Sequence, residues 1–275
     1  MTPGADATAQ DGPSDSRLEA QDATTLEVTV GDAGVAEIVL DGAHVLNALH
    51  SRTHELLQRT MTDLEHDDRV GAVVLRAAGR AFCAGSDLRE VGQLQGAAAQ
   101  RYVQLDFATK NAVAACRAPV IAAIQGYCVG GGAELALACD IRIASTDAVF
   151  AFPEVPLGSL PGSGGLQRLP AVVGAGVARD WILTGRQVRA SEAFDRGLVT
   201  RLVEPGELVD VARDVARSIA THSRTALWLA KVALDPAPAA ETGLVAAFQM
   251  LGGDACHAEP GYARATSRFT AKERP

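Results

Sequence analysis

Three separated stretches of the sequence combine side chains and backbone suited to chemistry. The first runs Gly126-Tyr127-Cys128-Val129-Gly130-Gly131-Gly132-Ala133-Glu134-Leu135-Ala136-Leu137-Ala138-Cys139-Asp140. An apolar run, Pro119 to Ile124, reads as a buried strand that delivers the chain into three consecutive glycines. Glycine accepts positive φ and lets another backbone or a ligand come close. A helix then begins with Glu134 in its first turn, and free N–H groups at a helix start suit a negatively charged oxygen. A glycine turn with outward N–H groups and a carboxylate three residues on is half a site for acyl chemistry. Taken alone, the same glycines serve equally well as a tight turn, with Glu134 favouring the helix dipole.

The second stretch is Arg80-Ala81-Phe82-Cys83-Ala84-Gly85-Ser86-Asp87-Leu88. It again sets a glycine and a small residue where a strand ends and a backbone N–H is exposed. The third is Phe152-Pro153-Glu154-Val155-Pro156-Leu157-Gly158-Ser159-Leu160-Pro161-Gly162-Ser163-Gly164-Gly165, a loop stiffened by three prolines around one carboxylate. An acid in so rigid and apolar a loop is partly desolvated. Together the parts are two candidate oxyanion donors and two glutamates twenty residues apart.

Other sites do not complete. Gly174-Ala175-Gly176-Val177-Ala178-Arg179 begins like a dinucleotide fingerprint but ends in Arg and opens no βαβ unit. Pro161 stands where a G-x-S-x-G elbow needs its first glycine. No Walker lysine and no H-E-x-x-H is present. Of the six histidines only His50 and His54 have ligand-like spacing, and that pair reads as a polar helix edge rather than a metal site.

The elements that must hold these stretches follow from periodicity. Leu26, Val28 and Val30 alternate with polar residues, and Gly31-Asp32-Ala33-Gly34 turns the chain into a second strand, Val35 to Leu40. Ser51 is a plausible N-cap for a helix to about Glu65, with Leu56, Leu57, Met61 and Leu64 inward. Ala72-Val73-Val74-Leu75 has the continuous apolarity of a strand covered on both faces. Tyr102 to Cys116 reads as helix, Pro119 to Ile124 as strand, Glu134 onward as helix and Ile141 to Ala144 as strand, an α/β alternation. Later, Val172 to Leu183 reads as helix, Ser191 caps a short helix that Gly197 ends, and Leu198 to Val203 is extended. From Glu207 on, only helices are expected, with Leu208, Val211, Val215 and Ile219 at helical spacing and further helices at Ala226 to Leu234 and Leu244 to Leu251. The expected organisation is a tail over 1–24 that is disordered for want of large apolar residues, a core over 25–205, and a helical C-terminal lobe over 206–275.

Composition narrows the class. A chain of 275 residues with 48% hydrophobic and 21% charged residues can bury a full core. A net charge of −8 argues against a nucleic-acid partner. Five cysteines without a C-x-x-C pair argue against a disulfide framework or zinc site. Cys83, Cys116, Cys128 and Cys139 read as small core residues, and Trp181 and Trp228 as core or interface. No run reaches the length of a membrane span and no secretory h-region opens the chain, so a cytoplasmic protein is expected.

From about Leu26 to Val203, and more weakly beyond, the three motifs resemble the enoyl-CoA hydratase/isomerase (crotonase) superfamily, as do Thr184-Gly185-Arg186, Ala193 to Val203 and the closing Phe269 to Pro275. The resemblance implies a spiral of ββα turns, with a helical C-terminal region that joins subunits into trimers or paired trimers. It implies an oxyanion hole at the backbone N–H groups of Ser86 and Gly131, catalysis by Glu134 and Glu154, and a water placed by the N–H of Gly162. Arg80, Phe82, Ala84, Asp87, Leu88 and Lys272 become expected contacts for the acyl-CoA substrate, with Arg274 a further candidate. No separate cofactor is implied, coenzyme A being part of the substrate. Most relatives carry alanine where Ser86 stands, Asp41-Gly42-Ala43 replaces the usual Asn-Arg-Pro, and Gly252-Gly253 interrupts the terminal helix. Two glutamates favour hydration of a 2-enoyl thioester. The alternatives are a Δ3,Δ2-enoyl-CoA isomerase, a specialised hydrolase or decarboxylase of the same superfamily, and a non-catalytic acyl-CoA binder.

Overall fold

The computed structural model describes residues 23–234 except Asp32, together with Ala263, Thr266 and Ser267. The expected tail over 1–22, the helix at Leu244 to Leu251, Gly252-Gly253, and Lys272 and Arg274 lie outside the described residues. Ala23 and Thr24, placed in the tail by composition, are packed instead. Both are buried; the Thr24 hydroxyl donates to the Ala48 carbonyl at 2.7 Å, and the Thr53 hydroxyl donates to that of Thr24 at 2.7 Å.

Strands β1 (Thr25–Val30) and β2 (Val35–Asp41) form the expected antiparallel hairpin. Its turn is closed by Gly31 N–H to Val35 O (2.9 Å) and Gly34 N–H to Gly31 O (3.1 Å). Helix α1 (Ser51–Glu65) follows, with His50 rather than Ser51 in the capping position: its Nδ1 accepts the Arg52 N–H at 3.2 Å. Next come β3 (Ala72–Ala77), β4 (Ala81–Cys83), the short α2 (Leu88–Val91) and the long α3 (Ala97–Ala115). A second unit is β5 (Val120–Ile124), β6 (Tyr127–Val129) and α4 (Gly131–Ala138); a third is β7 (Ile141–Ser145), β8 (Val149–Ala151) and α5 (Gly165–Val173).

The strands sort by turn. One sheet has the order β1-β2-β3-β5-β7-β10, with β10 at Arg201–Val203; the other has β4-β6-β8-β9, with β9 at Val188–Arg189. In each of three successive units the long strand enters the first sheet, the short strand the second, and a helix returns the chain. That is a ββα spiral. The pairings among β2, β3, β5, β7 and β10, and among β4, β6 and β8, are parallel, while β1 on β2 and β9 on β8 are antiparallel. The continuous apolarity of β3 and β5 follows from this, since parallel strands are covered on both faces. Val73, Leu75, Ala122 and Ile124 enter the main core. Their alternates Ala72, Val74, Ile121 and Ala123 meet Leu208, Ala212, Val215 and Ala216 of α8 (Leu208–Ala220).

Two readings of the later chain are corrected. The single helix expected over Val172 to Leu183 is two, α5 and α6 (Ala175–Thr184), because the chain turns at Gly174. Ser191 lies inside α7 (Ala190–Asp195) and Arg189 occupies its capping position. After a 3-10 turn at Pro205–Glu207, α8 packs on the first sheet and α9 (Arg224–Leu234) follows. Among the described residues, no helix is long and apolar enough to cross a membrane.

A carboxylate ties α8 to the sheet. Glu37 on β2 receives Arg213 Nε at 2.8 Å and Nη2 at 2.9 Å, and is also paired with Arg76 of β3. Burial works against the charged form, but the two guanidiniums outweigh it and hold the Glu37 carboxyl below its ordinary range. Its stabilisation is therefore present above the unfolded value of about 4.5 and lost as pH falls through the folded value. Glu37→Gln is expected to lower unfolding free energy by about 2 kcal/mol at pH 7, with the difference from the parent shrinking below about pH 4.5. Urea titrations at pH 7 and pH 4 measure both. A Cβ on Gly132 would lie 2.3 Å from the Cys83 carbonyl oxygen, so backbone must move to admit it. Gly132→Ala should therefore cost about 3 kcal/mol in the same assay.

Candidate active site

The contact that excludes a side chain at Gly132 presses the start of α4 against the end of β4 and brings the first two motifs together. Gly130 precedes the helix at φ +54°, in the left-handed region that glycine tolerates. It directs the chain so that Gly131 opens α4 with its N–H outside the helix. The far end of α4 is held by Arg142, whose buried guanidinium donates to the carbonyls of Cys139 (2.6 Å), Leu198 (2.7 Å) and Ala136 (3.4 Å). A cation at the helix C-terminus satisfies carbonyls that the helix leaves free.

Ser86 is presented by a bridge to Leu49. Leu49 N–H donates to Gly85 O at 2.8 Å and Asp87 N–H to Leu49 O at 2.9 Å, which turns the Ser86 N–H the other way. It faces α4: the position of a Cβ on Gly131 would be 3.5 Å from both Ser86 N and Ser86 Oγ. No backbone hydrogen bond among the described residues uses either the Ser86 or the Gly131 N–H. Beside Ser86 the phenol of Tyr102 donates to Leu49 O at 2.9 Å.

Ser86, Gly131, Glu134, Glu154, Gly162 and Leu88 all line one cavity of about 100 Å³. The remaining expected contacts stand elsewhere. Phe82 is fully buried in the main core and Ala84 spends its N–H on Leu46 O at 3.0 Å. Asp87 caps α2 by accepting the Arg89 N–H at 2.9 Å, and its carboxylate pairs with the Arg89 guanidinium. Arg80 is exposed at the turn between β3 and β4 and does not line the cavity.

The two carboxylates have unlike surroundings. Glu134 Oε1 accepts N–H groups from Ser163 and Gly165, both at 2.8 Å. Burial raises its pKa, while Lys110 and those two N–H groups pull it back. Glu154 has less help, from its own backbone N–H and, more weakly, from Lys110. Its Oε2 is buried without a hydrogen-bond partner, and burial together with the neighbouring Glu134 charge pushes its pKa up. Both carboxyls are raised by burial, but Glu134 is opposed by two N–H groups from other residues and Glu154 is pushed up to about 8, an inequality of the kind that acid–base division between two groups uses.

Behind Glu134 lies a polar cluster that sequence reading did not find. Lys110 and Asp106, one turn apart on α3, are both buried and ion-paired. The Ser163 hydroxyl donates to Asp106, and His54 Nε2 lies 3.2 Å from Asp106 Oδ1. His54, read as part of a polar helix edge, is fully buried against Tyr102, and burial holds its pKa well below the ordinary histidine value. The signal available was the i, i+4 spacing of Asp106 and Lys110 in the middle of a helix, but surface pairs share that spacing. Among the described residues, no three His, Cys, Asp or Glu side chains cluster to hold a metal ion.

Known proteins share this arrangement of chain. A family model described as Enoyl-CoA hydratase/isomerase matches residues 31–251. A protein of Mycobacterium tuberculosis called probable enoyl-CoA hydratase echA8 is 42% identical over 206 residues, covering 75% of this chain and 79% of its own. The short-chain-enoyl-CoA hydratase of Clostridium acetobutylicum is 35% identical over 241 residues, 87% of this chain and 92% of its own. The crystal structure of an enoyl-CoA hydratase from Bacillus anthracis superposes with a TM-score of 0.75 at 36% identity, covering 83% of this chain and 90% of that one. With the ββα spiral, the converging motifs and a family match that spans most of its length, the chain belongs to the enoyl-CoA hydratase/isomerase family.

Proposed function

We propose that this protein is an enoyl-CoA hydratase that adds water across the 2,3-double bond of an enoyl-CoA thioester. Its relatives carry that name. The observation that carries the mechanism is the contrast between Glu134, bound by two N–H groups, and Glu154, buried with an orphan oxygen in the same cavity.

When water adds at the β-carbon of a conjugated thioester, negative charge moves to the carbonyl oxygen. The N–H groups of Ser86 and Gly131 are assigned to that oxyanion, both being unused and both at the cavity wall. Losing one such donor typically costs about 10²–10³ in rate. Glu134 removes a proton from the attacking water, which the Gly162 N–H helps to place, as the oxygen bonds to the β-carbon. Glu154 gives its proton to the α-carbon as the enolate collapses. The thioester is then saturated, a hydroxyl stands at the β-carbon, and the two glutamates have exchanged protonation states.

A cavity of about 100 Å³ suits a short acyl chain. Four buried, unpaired cysteines suit a reducing compartment such as the cytoplasm. Leu229, Val232 and Leu234 of α9 are exposed among the described residues, in keeping with a subunit contact in a trimer or paired trimers. No separate cofactor enters this scheme.

Incubation with crotonyl-CoA, following loss of the conjugated-thioester absorbance, tests the reading. Glu134→Gln and Glu154→Gln are each expected to lower kcat by about 10²–10⁴; unimpaired hydration in either would overturn the assignment. Because Glu134 must be ionised and Glu154 protonated, kcat should rise with pH on the acid side and fall on the alkaline side. If the protein leaves crotonyl-CoA unchanged but converts a 3-enoyl thioester, it is an isomerase instead.

A further inference from the structure

Helix α3 carries an ammonium and a carboxylate that the hydration scheme leaves idle, and both are removed from water. Lys110 is fully buried, and Asp106, with which it pairs, is 7% exposed. A buried ion pair is often no more stabilising than apolar side chains of the same volume. Packing therefore does not explain a charge here, but position does. Lys110 Nζ lies 3.5 Å from the point a Cβ on Gly131 would occupy, at the foot of the helix that carries Glu134. Asp106 lines the cavity and accepts the Ser163 hydroxyl, while the Ser163 N–H donates to Glu134 Oε1 at 2.8 Å. Lysine, aspartate, serine and glutamate thus form one connected chain.

We propose that Lys110, held in place by Asp106, is a positioning residue that keeps Glu134 ionised as the water-activating base while Glu154 retains its proton, an assignment that rests on the hydration reading above.

The other groups around Glu134 do not supply this field as strongly. Glu154, from the loop after β8, adds a carboxyl and no positive charge. Arg168 of α5 is cationic, but its guanidinium is directed to Ser163 O (3.1 Å) and Asn111 Oδ1 (2.8 Å). Cys83 at the end of β4 is a neutral thiol, burial pushing its pKa up to about 11. His54 of α1 is kept neutral by burial, and Tyr102 keeps its proton for the same reason. Of the influences opposing the burial of Glu134, Lys110 is the largest, ahead of the Ser163 and Gly165 N–H groups and Arg168. Burial lowers the pKa of Lys110 itself to about 8, which leaves the ammonium charged across the acid side of the profile.

The sign of the effect is testable. A cation beside a carboxylate lowers its pKa, so removing it moves the acid limb of kcat to higher pH. Lys110→Met should shift that limb upward by about one unit or more while KM for crotonyl-CoA stays within about twofold, since ground-state binding is untouched. The double variant Lys110→Met with Asp106→Asn leaves no unpaired buried charge, and its new amide oxygen can still accept from Ser163. Its limb should move upward by less than that of Lys110→Met, and it decides alone if the single variant does not fold. In parallel, the Glu134 carboxyl is titrated by ¹³C NMR in substrate-free protein, its signal assigned by its loss in Glu134→Gln. That titration needs no turnover, so it stands even if crotonyl-CoA is not hydrated. An upward shift of the Glu134 midpoint in either folded variant supports the proposal. A fall in kcat with limb and midpoint both unmoved would show a merely structural lysine and overturn it.

Discussion

The site depends on one backbone contact, the seating of the first turn of α4 on the carbonyl of Cys83. No side chain fits between them, since even a methyl at Gly132 would sit 2.3 Å from that oxygen. Because strand end and helix start touch directly, Ser86 and Gly131 present their N–H groups side by side. The same seating fixes where Glu134 points, three residues into the helix. Parallel pairing of β4 with β6 supplies the approach from one side, and Arg142 at the C-terminal carbonyls of α4 anchors it from the other. A helix of only eight residues would be marginal alone, and these external ties keep it in place.

On that frame the electrostatics are set by unequal provision for two similar acids. Both are removed from water, which favours the neutral form of each. Glu134 receives two N–H groups from the facing loop and Lys110 as the largest influence opposing its burial, whereas Lys110 is the weakest of those acting on Glu154, which carries a buried oxygen without a partner. The proline-rich loop is what makes this possible. It places Glu154 from one side, and through Ser163 and Gly165 it turns its own backbone towards Glu134.

The three motifs were legible because each rests on local rules. Glycine tolerance of positive φ, free N–H groups at a helix start and proline stiffness all operate within a few residues. The run of strands and helices through Ile141 to Ser145 was legible for the same reason: continuous apolarity marks a strand buried on both faces. Errors came where a boundary depends on distant packing. The break at Gly174 separates two helices whose combined apolar pattern looks unbroken, and the cap of α1 fell to His50 rather than Ser51. Arg80, Phe82, Ala84 and Asp87 were expected beside the substrate from the family resemblance, and their side chains do not line the cavity. Phe82 went to the core and Asp87 to a helix cap.

What the sequence by itself determined is the class of chemistry and an α/β alternation of long strands and helices, because glycines, prolines and apolar periods act locally wherever they stand; the spiral was only implied by the family resemblance. Only the tertiary structure decided how unlike the surroundings of the two glutamates are, since that depends on which donors, charges and voids meet each carboxyl. It also decided that Asp106, Lys110 and His54, polar residues of α3 and α1, lie inside the molecule rather than on its surface. Helical spacing places a residue on a face; only the packing of α1 and α3 against each other and of α3 against α4 settles whether that face meets water or the core.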